Sequence, residues 1–140
     1  MRQFKWTKAH ATFLPEVDAE HRSLFRLADE LHQAVRAGRD TLAVRSLMQS
    51  LMASIEEHFT HEERIMEAAR CESYEWHRHQ HDTLRQKAKG FLDQFEAGDE
   101  RAPLGFVTFM ARWFRDHMGL SDRMMGAQVR NSDRLQALAD

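Results

Sequence analysis

The sequence predicts an all-α fold, an up-down-up-down antiparallel four-helix bundle with an N-terminal arm and a short C-terminal tail. Two observations support this prediction. The 140 residues include only 6 Gly and 2 Pro, so long stretches contain no helix breaker. In four of these stretches apolar residues recur at alternating steps of three and four, the spacing that keeps side chains on one helix face. In the last stretch the apolar stripe consists of Phe106, Met110, Trp113 and Leu120.

Capping residues set the predicted helix boundaries. Asp18 is predicted to cap the first helix, and Gly38 to follow its end in a left-handed conformation. Asp40 and Ser73 are the predicted N-caps of the second and third helices. The resulting helices cover residues 18–38, 40–70, 73–97 and 102–120, with Gly98 after the third helix and Pro103 in the first turn of the fourth.

Length and charge limit the classes of protein to consider. We expect residues 1–140 to form a single domain, with an arm at 1–17, a bundle at about 18–126 and a tail at 127–140. The 20 Lys and Arg against 22 Asp and Glu give a formal net charge of −2, which offers no field to attract a nucleic acid or an anionic membrane. No apolar run approaches the roughly 18 residues of a membrane span. We therefore expect a soluble protein with no nucleic-acid or membrane partner.

Two features favour a cytoplasmic location. The N-terminal segment, MRQFKWTKAHATFLPEVDAEH, lacks the apolar core and the cleavage site of an export signal. The single cysteine, Cys71, cannot form an internal disulfide, which is typical of a reducing compartment.

Histidine is the unusual component of the composition. The chain has 9 His, where a chain of this size ordinarily has about three. When each apolar stripe is extended at its own spacing, it reaches ionisable residues. These are His21 in the first helix, His58 and Glu62 in the second, His77 and His81 in the third, and His117 in the fourth. The remaining histidines lie off the stripes and are expected to be exposed, with no ligand role: His10, His32, His61 and His79.

At core positions these six ionisable groups need polar partners or a metal ion. An unpaired polar group in a core costs about 1 to 3 kcal/mol and a charge costs more, whereas one metal centre would satisfy all six. The spacings His58-x-x-x-Glu62 and His77-x-x-x-His81 place both side chains of each pair on one helix face, about one turn apart. Five imidazoles and a carboxylate exceed the four ligands of a tetrahedral zinc ion. The count therefore predicts two metal ions.

Two neighbouring cations need bridging anions, and Glu62 is one candidate. Asp122 is the second, but it follows His117 by five residues, which on a straight α-helix is roughly 140° away. We therefore predict an irregularity such as a π-turn between 117 and 122. The mixture of imidazoles and carboxylates favours iron. The zincin motif and the Glu-x-x-His motif of ferritin-like di-iron proteins are both absent from the sequence.

These segments resemble the hemerythrin family, in particular its single-domain bacterial members, the bacteriohemerythrins. The similarity covers about residues 4–126. It consists of Trp6 in the arm and of the segments VDAEHRSLF, HFTHEERIM, HRHQH and WFRDHMGLSD, which fill all seven ligand positions of the family in order. A leucine is common in the family at the position of Phe114.

The resemblance implies a non-haem di-iron centre with an oxo or hydroxo bridge. One iron would be held by His77, His81 and His117 and the other by His21 and His58, with Glu62 and Asp122 as bridging ligands. Dioxygen would bind at the open position of the iron that has fewer protein ligands. Reversible binding requires a narrow apolar pocket. The residues next to the ligands that are expected to line it are Leu24, Phe25, Phe59, Trp113 and Phe114.

Three functions remain open from the sequence. The first is reversible dioxygen binding for storage or delivery, without catalysis and by a monomer. The second is an oxygen or redox sensor module that signals to a protein partner. The third is a di-iron peroxidase or a nitric-oxide-handling enzyme, which needs a proton donor near the open iron.

Overall fold

Four helices run alternately up and down in the computed structural model of the chain, which describes residues 4–139. They are α1 (Pro15–Arg36), α2 (Thr41–Ala68), α3 (Tyr74–Glu96) and α4 (Ala102–Trp113). A π-helical segment (Phe114–Ser121) continues α4 and leads into α5 (Asp122–Ala139), and a 3-10 turn (Lys8–His10) lies in the arm. Each bundle helix packs against the next, and α4 closes the bundle against α1. The predicted fold is confirmed.

Several predicted helix ends are confirmed. The side chain of Asp40 accepts a hydrogen bond of 2.8 Å from the backbone N–H of Ala43 and so caps α2. Gly38 and Gly98 follow α1 and α3 with φ of +66° and +100°, a region that glycine occupies without steric cost. Pro103 lies in the first turn of α4, where its missing N–H leaves no helical hydrogen bond unmade.

The predicted role of Asp18 as an N-cap is wrong. The first helix begins three residues earlier, at Pro15, because proline at the first helical position is already preorganised for a helix. Asp18 is buried inside α1, where Oδ1 accepts hydrogen bonds from the backbone N–H and the hydroxyl of Thr12, at 2.9 and 2.8 Å, and Oδ2 accepts from the N–H of Phe13. This carboxylate therefore fastens the arm to the bundle.

Ser73 occupies the predicted N-cap position of α3, but its side chain does not cap the helix. Its hydroxyl donates instead to Oε1 of Gln128 on α5, at 2.8 Å. The side-chain amide of Gln128 can reach this hydroxyl because α5 passes over the turn between α2 and α3. The predicted tail, residues 127–140, is helical up to residue 139 as part of α5, and Val129 in it is buried. Residue 140 lies outside the described residues.

The fourth predicted helix changes register partway. Its α-helical part ends at Trp113, and the π-helical segment contains the irregularity predicted between 117 and 122, which is thereby confirmed. The wider turn also rotates Leu120 away from the core stripe on which it was predicted to lie, and its side chain is 62% exposed. Asp122 is turned inward and buried.

Two apolar clusters lie along the bundle axis, one on each side of a polar layer. The larger cluster includes Leu31, Leu51, Leu84, Phe106 and Met110. The smaller cluster consists of Val17, Met66, Cys71, Met125 and Val129. On α1 and α2 the ionisable stripe residues lie between positions that belong to different clusters, so the polar layer crosses the whole bundle. Within residues 4–139, the helices include none that is both long and apolar enough to cross a bilayer.

Candidate metal centre

Seven polar side chains fill the layer between the two apolar clusters, and each is at most 4% exposed. They come from α1, α2 and α3, from the π-helical segment that continues α4, and from the start of α5. They are His21 on α1, His58 and Glu62 on α2, His77 and His81 on α3, His117 in the π-helical segment and Asp122 at the start of α5. The structure therefore brings together all seven residues that the sequence indicated as ligand candidates.

Glu62 faces imidazoles through both of its carboxylate oxygens. Its Oε1 lies 2.5 Å from Nε2 of His77 and 3.2 Å from Nε2 of His81. Its Oε2 lies 3.0 Å from Nε2 of His58 and 3.6 Å from Nε2 of His21. The carboxylate thus lies between imidazoles of α3 on one side and imidazoles of α1 and α2 on the other.

Asp122 also turns its two carboxylate oxygens toward different imidazoles. Its Oδ1 lies 2.9 Å from Nε2 of His77 and 3.0 Å from Nε2 of His117, and its Oδ2 lies 3.0 Å from Nε2 of His21. Two groups result, and in each of them the ligand atoms, counted with the two carboxylates, lie within 4.8 Å of one another. The three-imidazole group contains His77, His81 and His117, and the two-imidazole group contains His21 and His58.

The π-helical segment is what aims Asp122 at the layer. The backbone N–H of Asp122 bonds to the carbonyl of His117, and such i→i+5 bonding brings residues five apart close to one face. His117 and Asp122 therefore both point into the layer, where an α-helix would have separated them.

The electrostatics of the polar layer keep its two carboxylates, Glu62 and Asp122, ionised. Burial favours the neutral form of an acid, yet the surrounding imidazoles hold the pKa of both Glu62 and Asp122 well below the usual range. Burial would lower the pKa of His58, but the carboxylates of Glu20 and Glu62 raise it to about 10. Burial acts in the same sense on His77, and Asp122 and Glu62 raise its pKa to about 9. The two buried carboxylates thus stay ionised and attract cations.

The arrangement of lone pairs fits metal ions better than protons. Nε2 of His81 and Nε2 of His117 are 3.1 Å apart. Nδ1 of His81 is 2.8 Å from Oε2 of Glu63, and Nδ1 of His117 is 2.7 Å from Oε1 of Gln80. A neutral imidazole that donates from Nδ1 has a lone pair on Nε2, so these two lone pairs converge on one point. A cation at that point would turn their repulsion into coordination.

Unsatisfied oxygen atoms support the same reading. Oε2 of Glu62 and both carboxylate oxygens of Asp122 are buried, and within residues 4–139 they accept no hydrogen bond of acceptable geometry. Buried ionised oxygens without hydrogen bonds are costly unless they coordinate a metal. The donor set of imidazoles and carboxylates suits iron.

Sequence reasoning missed the outer partners of the imidazoles. Nδ1 of His58 donates to Oε1 of Glu20 at 2.7 Å, while Glu63 and Gln80 accept from His81 and His117. Each of these acceptors stands directly beside a predicted ligand in the sequence. Each acceptor bonds to an imidazole on the next helical segment along the chain. Its position beside a ligand candidate was the only feature of the sequence that could have indicated this role.

The other histidines only partly match their predicted exposure. His79 is exposed as predicted. His61 is half-buried because its Nδ1 bonds to Glu20 at 2.8 Å, and His10 is half-buried against the ring of Phe25. The prediction is wrong for His32, which is 7% exposed. The arm covers His32, and the centroid of the Phe4 ring lies 6.2 Å from that of the His32 ring. The apolar stripe of one helix does not indicate which of its other residues a separate segment will bury.

Two aromatic rings stack on imidazoles of the three-imidazole group. Phe59 stacks on His81 with ring centroids 3.8 Å apart, and Trp113 stacks on His117 at 4.1 Å. Phe114 is buried and packs against Phe25, with ring centroids 5.3 Å apart. These four rings, together with the buried Leu24, are the residues that were expected to line an oxygen pocket.

The chain is similar to known proteins in both sequence and structure. The family model described as "Hemerythrin HHE cation binding domain" matches residues 12–129. A bacteriohemerythrin from Aquifex aeolicus is 27% identical over 117 residues, which are 81% of this chain and 87% of the relative. A myohemerythrin from Theromyzon tessulatum is 28% identical over 87 residues, 62% of this chain and 67% of the relative. The crystal structure of a hemerythrin point variant, 22% identical, has a TM-score of 0.85 and covers 92% of this chain and 98% of that chain, which supports the fold.

Proposed function

The chain belongs to the hemerythrin family, as its sequence predicted, and from this premise we propose that it binds dioxygen reversibly at a pair of iron ions, for oxygen storage or delivery. The proposed ligands are the seven buried side chains of the polar layer. The three-imidazole group would hold one iron and the two-imidazole group the other.

One observation supports this proposal above all others. Glu62 and Asp122 each turn one carboxylate oxygen toward the three-imidazole group and the other toward the two-imidazole group. A carboxylate in that position can bridge two cations and offset their mutual repulsion. A site for a single ion would have no use for two carboxylates shared in this way.

The difference between the two groups suits a carrier. A bound iron pair supplies reversible electron donation to dioxygen. The two-imidazole group provides one nitrogen fewer than the other group, so it is the side on which we propose that dioxygen has room. We propose that Leu24, Phe25, Phe59, Trp113 and Phe114 keep water away from the centre. The Phe59 ring, which stacks on His81, also lies 6.3 Å from the ring of His58 in the two-imidazole group.

The positions of the acids favour a carrier over an enzyme. Cleavage of the O–O bond needs a proton donor close to bound dioxygen. Glu20 and Glu63 contact the outer nitrogens of His58 and His81, on the far side of each ring from the centre. They are therefore placed to orient ligands and not to protonate dioxygen.

The test is iron counting combined with an absorption spectrum. We expect two irons per chain after anaerobic loading, a new absorption band in air, and its disappearance under vacuum. His77→Ala should lose iron, whereas the matched control His79→Ala changes an exposed histidine two residues away and should retain it. One iron per chain, or steady consumption of peroxide, would contradict the proposal.

A sensor function has one specific observation in its favour. Asp122, a proposed bridging ligand, is the first residue of α5, and the far end of that helix exposes Leu135 and Leu138. A shift at the centre could therefore be transmitted to a surface that a protein partner would contact. Hydrogen exchange along α5, compared with and without oxygen, distinguishes the two functions: equal exchange favours the carrier, and a change confined to α5 favours the sensor.

A further inference from the structure

One carboxylate oxygen joins a proposed ligand to a surface cation. Oε2 of Glu63 lies 2.8 Å from Nδ1 of His81 and accepts a hydrogen bond of 2.9 Å from Nη2 of Arg85. Glu63 and Arg85 are both half-buried. The guanidinium is permanently charged, so it offsets the charge of the carboxylate at the atom that His81 uses.

Arg85 is held in place from several directions. Its Nε and Nη2 donate to the two carboxylate oxygens of Glu56, at 2.8 and 3.1 Å, and its Nη1 donates to Asp82 at 2.8 Å. The guanidinium carbon also lies 5.1 Å from the centroid of the Phe59 ring, which stacks on His81 with an interplanar angle of 2°. Arg85 therefore reaches His81 both through Glu63 and through the Phe59 ring.

The outer partners of the other imidazoles differ in charge. Oε1 of Glu20 accepts a hydrogen bond from His58, and the same carboxylate also contacts Nδ1 of His61. The partner of His117 is the neutral amide of Gln80. The three-imidazole group is thus backed by an amide and a charge-compensated carboxylate, and the two-imidazole group by a carboxylate with no guanidinium beside it.

We propose that Arg85 is a positioning residue for the metal centre that acts through Glu63: it orients this carboxylate toward Nδ1 of His81 and offsets its charge at the oxygen that the ring contacts. Without the guanidinium, the carboxylate would accept a stronger hydrogen bond from Nδ1 and make the ring a stronger electron donor. Stronger donation favours ferric over ferrous iron. Arg85 thus keeps the three-imidazole side easier to reduce.

This inference rests on the proposed iron binding, so its test measures iron content and redox potential together. The proteins compared are wild type, Arg85→Gln, Arg85→Lys and the double variant Arg85→Gln/Glu63→Gln. The control is Arg45→Gln, which removes a surface ion pair with Glu96 elsewhere in the bundle. For each protein, iron per chain, the first midpoint potential and the melting temperature of the metal-free chain are recorded.

We expect two irons per chain throughout. In Arg85→Gln the ratio of ferric to ferrous iron at a fixed potential should rise about tenfold, which for a one-electron couple is a fall of about 59 mV. Arg85→Lys retains the charge and should stay near wild type. The double variant removes both charges and should also return toward wild type, which a purely structural role of Arg85 would not produce.

The outcomes separate this inference from the function on which it rests. Two irons with an unchanged or raised potential in Arg85→Gln would overturn the role of Arg85 alone. A double variant that deviates further than Arg85→Gln would do the same. A wild-type chain that binds no iron pair would overturn the proposed function, and this inference with it.

Discussion

The backbone N–H of Asp122 donates a hydrogen bond to the carbonyl oxygen of His117, five residues earlier. The same register places Oδ1 of Asp122 3.0 Å from Nε2 of His117. On an α-helix the two side chains would point roughly 140° apart. One wide helical turn therefore brings the second carboxylate into the centre.

Asp122→Asn should reduce the iron content from two per chain to one or fewer. The amide has the volume of the carboxylate but lacks the negative charge that a bridge between two cations requires. Iron counted per chain after anaerobic loading is the measurement. Asp116→Asn is the matched control, since Asp116 lies in the π-helical segment that precedes Asp122 and its side chain is 70% exposed. Full occupancy in Asp122→Asn would remove Asp122 from the ligand set.

Iron should stabilise the fold. Metal that binds only the native state adds about 4 kcal/mol to the free energy of unfolding when free metal is roughly 1,000 times its Kd. The physical reason is the layer of seven buried polar side chains, whose charges must otherwise be offset among themselves. Urea denaturation of the iron-loaded and metal-free proteins gives the difference directly. Coincident unfolding curves would show that the layer does not depend on metal.

Gly126→Ala should destabilise the protein by about 1 to 3 kcal/mol. A Cβ at Gly126 would lie 2.5 Å from the backbone oxygen of Thr12 and 2.9 Å from its Cβ, so the arm would have to move off α5. Gly90→Ala is the control, because a Cβ there meets nothing within 4 Å, and it should stabilise α3 by up to about 1 kcal/mol. Thermal unfolding of both variants would measure this contrast. Equal melting temperatures would mean that the arm is not held against α5.

Phe114→Leu should increase the rate at which the oxygenated protein oxidises irreversibly, by severalfold. The ring of Phe114 packs between those of Phe4 and Phe25, with centroids 5.6 and 5.3 Å away, and a smaller side chain would leave a path for water. Phe109→Leu removes a ring that packs on Phe91 instead. Both variants should lose about 1 kcal/mol of stability, but only Phe114→Leu should oxidise faster. Equal oxidation rates in the two variants would exclude Phe114 from the pocket.

The fold and six of the seven side chains of the layer were predictable because both follow from one periodicity. Residues such as Leu24 and Leu84 repeat at helical spacing, and the same spacing reaches His21 and His81. The π-turn was predictable as well, since Asp122 cannot reach the layer without it.

Contacts between elements were not predictable in the same way. Glu20, Glu63 and Gln80 lie off the stripes, and their partners depend on how each helix is rotated against its neighbour. Asp18 has the sequence signature of an N-cap but bonds to the arm, and His32 is buried by the arm. A pattern along one helix specifies which face is inward, but not what another segment places on the outward face.

The outer partners have a consequence for protein engineering. Glu20 on α1 orients a histidine of α2, Glu63 on α2 orients one of α3, and Gln80 on α3 orients His117. A designer who grafts one helix of this protein into a foreign scaffold would transfer the ligand without the group that fixes its tautomer. Transplantation should therefore succeed only with adjacent helices moved in pairs, and recombination between homologues should tolerate exchange at the ends of the bundle better than at its middle.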